Sequence, residues 1–136
     1  MGASVSARTA GSWCAPAAGS VIAMPGHEIT VAPADARVRV EIDGAVVAES
    51  DAALALEETG LPTRYYLPRA DVRAELLDSD HTSHCPFKGD ASYHSIGERR
   101  NVVWYYPEPL EGVAAIRDRV AFWKVDLFVD GERVPA

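Results

Sequence analysis

From Arg37 onward the chain is written in short runs of alternating apolar and polar residues, closed by glycine, proline or aspartate. That rhythm constrains the fold more than any other feature. Val38, Val40 and Ile42 alternate with Arg37, Arg39 and Glu41, and Asp43-Gly44 then precedes a second β-favouring run, Ala45-Val46-Val47-Ala48. An Asp-Gly pair between two such runs predicts a tight hairpin, because both central positions of the favoured turn need positive φ. Leu54, Leu56 and Glu58 alternate with Ala53, Ala55 and Glu57. Ser50-Asp51 could instead cap a short helix over the same stretch, but the period of two favours a strand.

Further along, residues 63–67 form a β-favouring run between Pro62 and Pro68, and Val72, Leu76 and Leu77 have the spacing of one short amphipathic helix. A meander follows over 81–87, 91–96 and 102–106, with turns at Lys88-Gly89-Asp90 and at 97–101. A second short helix is expected over 111–120 with Val113, Ile116 and Val120 inward. An apolar run over 120–123 and a final strand over 125–129, closed by Asp130-Gly131, complete the chain. About eight short strands and two short helices result. The fold class is therefore mainly β, a single small domain of antiparallel sheets curled into a sandwich or partial barrel. Too few helices alternate with strands for a doubly wound parallel fold.

The 136 residues, 48% of them hydrophobic and 24% charged, suit one globular domain, and no apolar run is long enough to cross a bilayer as a helix. Twenty acidic against 13 basic side chains give a net charge of -7 with no basic cluster beyond Arg99-Arg100. Nucleic acid is therefore an unexpected partner, since its binding rests on neutralised phosphates. The expected partner is a small molecule, taken up by a monomer or homodimer. Residues 1–23 carry one charge, Arg8, and 14 of the 23 are Ala, Gly or Ser, which reads as a flexible extension before a domain over 24–136. This stretch has no charged start followed by a long apolar run, as a secretory signal would. Cys14 and Cys85 could form at most one disulfide, and a reduced, cytoplasmic setting is expected.

Aromatic residues are unevenly placed: of 11, only Trp13 precedes Tyr65. The second half must then supply the bulky core or the wall of a pocket. The segment 81–94 holds three of the four histidines, one of two lysines and Cys85. A metal site built from His81, His84, Cys85 and His94 is disfavoured, because adjacent His84 and Cys85 on a strand point to opposite faces and no second Cys pair completes a tetrahedron. No metal and no cofactor is expected. Cys85 is a candidate nucleophile if His84 or His94 activates it, and otherwise a small buried hydrophobe.

Lys88 beside Gly89 stands out in a chain with 11 arginines and two lysines, as an acid, an anion anchor or an amine nucleophile. Glu58, by parity with Leu54 and Leu56, points inward and is a candidate general acid or base; the bland alternative has it reaching solvent or pairing with Arg64 or Arg69. Tyr93 joins these as a catalytic candidate. Tyr66, Arg69, His84, His94, Trp104 and Tyr106 are the candidate substrate-binding residues, with the aromatics as the wall of a small pocket.

The run Leu56-Glu57-Glu58-Thr59-Gly60-Leu61-Pro62, the segment Tyr65-Tyr66-Leu67-Pro68-Arg69-Ala70-Asp71-Val72, the core Cys85-Pro86-Phe87-Lys88-Gly89-Asp90-Ala91-Ser92-Tyr93 and the sequence Trp104-Tyr105-Tyr106-Pro107 resemble the bacterial and fungal domain-of-unknown-function family numbered 427. The resemblance covers residues 27–129. It implies a module of the β-tent type without paired Cys-x-x-Cys zinc knuckles, and a nucleotidyltransferase-like label that some members carry. No Gly-Ser helix start followed by spaced carboxylates supports that chemistry here. The functional expectation is a small enzyme performing acid–base chemistry on a metabolite in an aromatic-lined pocket. The alternative is a non-catalytic binding or interaction module.

Overall fold

The computed structural model describes the backbone course of Ser20–Met24 and, in full, residues 27–136. Among these residues the chain forms three four-stranded antiparallel sheets and no closed barrel. The first sheet carries Ser20–Met24 (β1), His27–Pro33 (β2), Leu54–Glu58 (β5) and Arg64–Tyr66 (β6), in the order β1-β2-β5-β6. The third carries Val38–Ile42 (β3), Ala45–Ser50 (β4), Asp126–Val129 (β11) and Glu132–Val134 (β12), ordered β12-β11-β3-β4. The second carries Leu77–Cys85 (β7), Gly89–Ile96 (β8), Arg99–Tyr105 (β9) and Ala121–Phe122 (β10), ordered β10-β9-β8-β7. The expected mainly β single domain of curled antiparallel sheets is what forms.

The Asp-Gly turns behave as their chemistry dictates. Asp43 and Gly44 take φ of 52° and 84°, and Asp130 and Gly131 take 51° and 82°, so each pair closes a two-residue hairpin whose twist matches its strands. The alternation of Leu54, Leu56 and Glu58 forms β5 as expected. Strands β1, β2 and β12 were not anticipated. With β1 paired to β2 from Ser20 onward, sheet structure begins four residues before the boundary expected at 24. The rest of the expected extension, with Cys14, lies outside the described residues.

Two apolar clusters fill the space between sheets. One gathers Val38, Val40, Leu67, Val103, Val120, Phe122 and Leu127, and the other gathers Ile29, Val31, Leu56, Tyr66, Tyr106, Val113 and Ile116. Strand β9 serves both: Val103 and Tyr105 belong to the first, whereas Trp104 packs against the second. Val102, two residues before Trp104, nevertheless packs in the first cluster and not beside it. It follows Asn101, at φ 57°, and a register shift between β8 and β9, which together break the alternation there.

Both expected short helices form only as 3-10 segments, shorter than the spacing suggests. After one 3-10 turn at Arg69–Asp71, Val72 is extended and bridges to Ala48, and the Arg73 and Ala74 N–H groups both reach the Val47 carbonyl at 2.7 and 3.3 Å. This backbone finds its hydrogen bonds on β4 and has no need of a helix, so Leu77 opens β7 with its side chain exposed. The second segment is a broken 3-10 helix, Glu111–Ile116, with Val113 and Ile116 buried as anticipated. It stops there because Val120 exchanges hydrogen bonds with Leu67 at 2.8 and 2.9 Å, tying the second sheet to the end of β6. The turn between β7 and β8 occupies 86–88, two residues earlier than expected. Among the described residues no helix is long and apolar enough to cross a membrane.

Candidate functional site

Glu58 ends β5 on the face shared with Leu54 and Leu56, paired in register with buried Ile29. Lys88 ends the turn between β7 and β8, where the Leu110 N–H donates to its carbonyl at 2.9 Å and Gly89 follows at φ 112°. A side chain at Gly89 would place its Cβ 3.3 Å from the Glu108 carbonyl, so this close approach of two backbones requires glycine. These two elements bring Lys88 Nζ to 2.7 Å from Glu58 Oε1, with the side chains 12% and 8% exposed. The other carboxylate oxygen, Oε2, lies 3.0 Å from His27 Nε2, within ion-pair range but off the angle of a hydrogen bond. The His27 ring stacks on Phe87 at 4.2 Å between centroids. A buried pair of this kind is stable only because each charge has its partner.

The pair forms one wall of a cavity of about 190 Å³ lined also by Arg64, Tyr66, Tyr93, Trp104 and Tyr106, with Leu61 and Trp123 at its margin. Tyr66 is fully buried, and its hydroxyl accepts a hydrogen bond from Trp104 Nε1 at 3.0 Å while the two rings meet edge to face. Burial pushes the Tyr66 phenol far above its ordinary range, against a smaller opposing pull from the Trp104 hydrogen bond. Burial does the same to Tyr106, so both remain neutral hydroxyls at any ordinary pH. Tyr93 presents its ring to the cavity and shares a hydrogen bond of 2.9 Å with Ser83 Oγ.

Of the residues singled out in the sequence, Glu58, Lys88, Tyr66, Tyr93, Trp104 and Tyr106 thus converge. Four do not line the cavity. His84 points outward and pairs with exposed Asp90 at 2.7 Å. Arg69 and His94 lie together by Tyr105, on the opposite face of β9 from Trp104: Arg69 Nη1 is 3.0 Å from His94 Nε2, its guanidinium sits over the Tyr105 ring at 4.3 Å, and His94 stacks on the same ring at 4.7 Å. Cys85 is half-buried at the end of β7, opposite Gly89. His94 stands five positions further along β8, about 16 Å at the usual strand rise, and His84 is turned outward, so neither histidine is placed to activate the thiol. The side chains weighed as metal ligands diverge likewise. Among the described residues no three of His, Cys, Asp and Glu are grouped to hold an ion.

Two residues of the site were not given this role by the sequence reading. Arg64 lines the cavity and Arg69 does not, although period two already places Arg64 on the face of Tyr66. His27 carries no role in the sequence pattern singled out above, yet it alternates with Ile29 and Val31 as Glu58 does with Leu56 and Leu54, and the same parity turns it inward.

No curated protein matches the chain. A family model described as Domain of unknown function (DUF427) matches residues 30–134, which include every residue of the cavity wall. The chain belongs to the family of that description.

Proposed function

We propose that the protein is a small enzyme that moves a proton on a small metabolite bound in the cavity between the first and second sheets. The observation that carries this reading is the Glu58–Lys88 pair, closed to 2.7 Å and shielded from solvent, yet forming part of the wall of an aromatic-lined cavity. A carboxylate and an ammonium held together there form an acid and a base within reach of one ligand. In the reaction envisaged, Glu58 accepts a proton from the ligand while Lys88 donates a hydrogen bond to the oxygen on which negative charge develops. Tyr66 and Tyr106, kept neutral by burial, orient the ligand, and Tyr93 and Trp104 flank it.

The test begins with a panel of small polar metabolites screened for a rise in melting temperature. Each binder is then followed by proton NMR in heavy water for exchange of its carbon-bound protons. The expected result is exchange by the parent and a loss of about a hundredfold or more in Glu58→Gln and Lys88→Met, the scale of general acid–base catalysis. Saturable binding without exchange of any ligand proton would show a binding module instead.

A further inference from the structure

We infer that the ligand of this cavity is a small planar monocarboxylate, a single ring or conjugated acid, whose carboxylate is received by Arg64. The inference rests on the reading of the cavity as the ligand site and names the chemistry of what enters it. Arg64 stands on β6 opposite Leu56 and two residues before Tyr66, with its guanidinium carbon 5.5 Å from the centre of the Trp104 ring. Among the described residues it has no carboxylate within ion-pair distance and no hydrogen-bond acceptor, and its Nη1 is closed off from solvent without a partner. The guanidinium therefore has no counter-charge in the protein, and an anion entering the cavity would supply one. The guanidinium fork matches a carboxylate in two parallel hydrogen bonds.

Charge and size narrow the class. Lys88 is already matched by Glu58, so the cavity wall of Arg64, Lys88 and Glu58 is one positive charge in excess, which one anionic group balances. A phosphate monoester, near two negative charges at neutral pH, would overshoot that balance. The volume of about 190 Å³ is below the roughly 300–1,000 Å³ of sites for drug-sized ligands, and the tyrosine and tryptophan rings favour a flat body.

The test uses benzoate, benzamide, benzylamine and phenyl phosphate as probes of the full chain, each to ~10 mM, by calorimetric titration and melting-temperature shift. The expected result is saturable binding of benzoate ahead of the other three. In Arg64→Met its affinity falls by about tenfold or more, the effect of losing a charge-assisted hydrogen bond. Equal response to benzamide, tighter binding of benzylamine or phenyl phosphate, no saturable response to benzoate, or unchanged benzoate affinity in Arg64→Met each overturns the inference. Near-UV circular dichroism verifies that the variant is folded. If it is not, Arg64→Lys serves in its place, since it keeps the charge and stem but loses the fork, with an expected loss of about threefold or more. Benzoate binding without proton exchange on any ligand would sink the acid–base reading and leave the anion site standing. Exchange on neutral ligands with no preference for carboxylates does the reverse.

Discussion

Arg69 Nη1 lies 3.0 Å from His94 Nε2, and because a guanidinium can only donate, that nitrogen of His94 must be the acceptor of a neutral imidazole. His94 is buried, its Nδ1 faces the exposed Asp78 carboxylate at 3.3 Å, and its ring lies on Tyr105. Burial first, and the Arg69 charge second, hold its pKa below the ordinary 6.5, with Asp78 opposing them. The unfolded chain therefore binds a proton at this residue before the folded chain does. This contribution to stability is complete above pH 6.5 and declines as pH falls below it toward the folded-state value. The melting temperature of the parent is expected to drop on acidification from neutrality to about pH 5, and more steeply than that of His94→Phe, which keeps the ring stack but cannot titrate. Parallel curves for the two proteins would contradict the assignment.

Truncating one member of the Glu58–Lys88 pair strands the other in a site where the two side chains are 8% and 12% exposed. Lys88→Met is therefore expected to destabilise by about 3 kcal/mol, near the lower end for breaking a buried ion pair. The double variant Glu58→Gln with Lys88→Met removes both charges and is expected to recover more than half of that loss, as read by urea denaturation. Additive losses in the two single variants and the double would show that the charges act independently.

Much of this site was legible because strand parity is a strong constraint. Glu58 is turned inward by the same alternation that buries Leu56, and its partner Lys88 stood out by rarity in an arginine-rich chain. What could not be read was which strand lies beside which. Arg69 and Arg64 are equally polar neighbours of Tyr66 in sequence, but Pro68 and the 3-10 turn carry Arg69 away to Tyr105 on the other face of β9, and only Arg64 stays on the strand facing the cavity. The helix expected around Val72 is cut short for a similar reason: its backbone is claimed by Val47, 25 positions or more away, and no local pattern announces a long-range hydrogen bond.

Removing the Tyr66 hydroxyl tests the pocket wall with almost no change of volume. Tyr66→Phe leaves Trp104 Nε1 without the acceptor it now has at 3.0 Å, in a part of the core where Tyr66 itself is fully buried. The expected effect is a loss of about 1–2 kcal/mol, as for a donor left unsatisfied, with a change in tryptophan fluorescence of the folded state. An unchanged stability would mean that the indole N–H finds another acceptor.

Gly89 couples the fold to the site most directly, because it follows Lys88 and lies against the 108–110 segment. Its φ of 112° is outside the range of ordinary side chains, and a Cβ would sit 3.3 Å from the Glu108 carbonyl and 3.6 Å from the Leu110 nitrogen. Backbone strain of this kind costs about 1–3 kcal/mol, and Gly89→Ala is expected to lose stability in that range. The strain can be relieved only by moving the turn, which carries the Lys88 carbonyl away from the Leu110 N–H and Nζ away from Glu58. Ligand affinity at the cavity should therefore fall together with stability, whereas Gly44→Ala, at φ 84° in the open hairpin with nothing within 4 Å of its Cβ, should lower stability and leave ligand affinity unchanged. Denaturation and probe titration of the two variants side by side decide whether Gly89 positions Lys88 or only closes a turn.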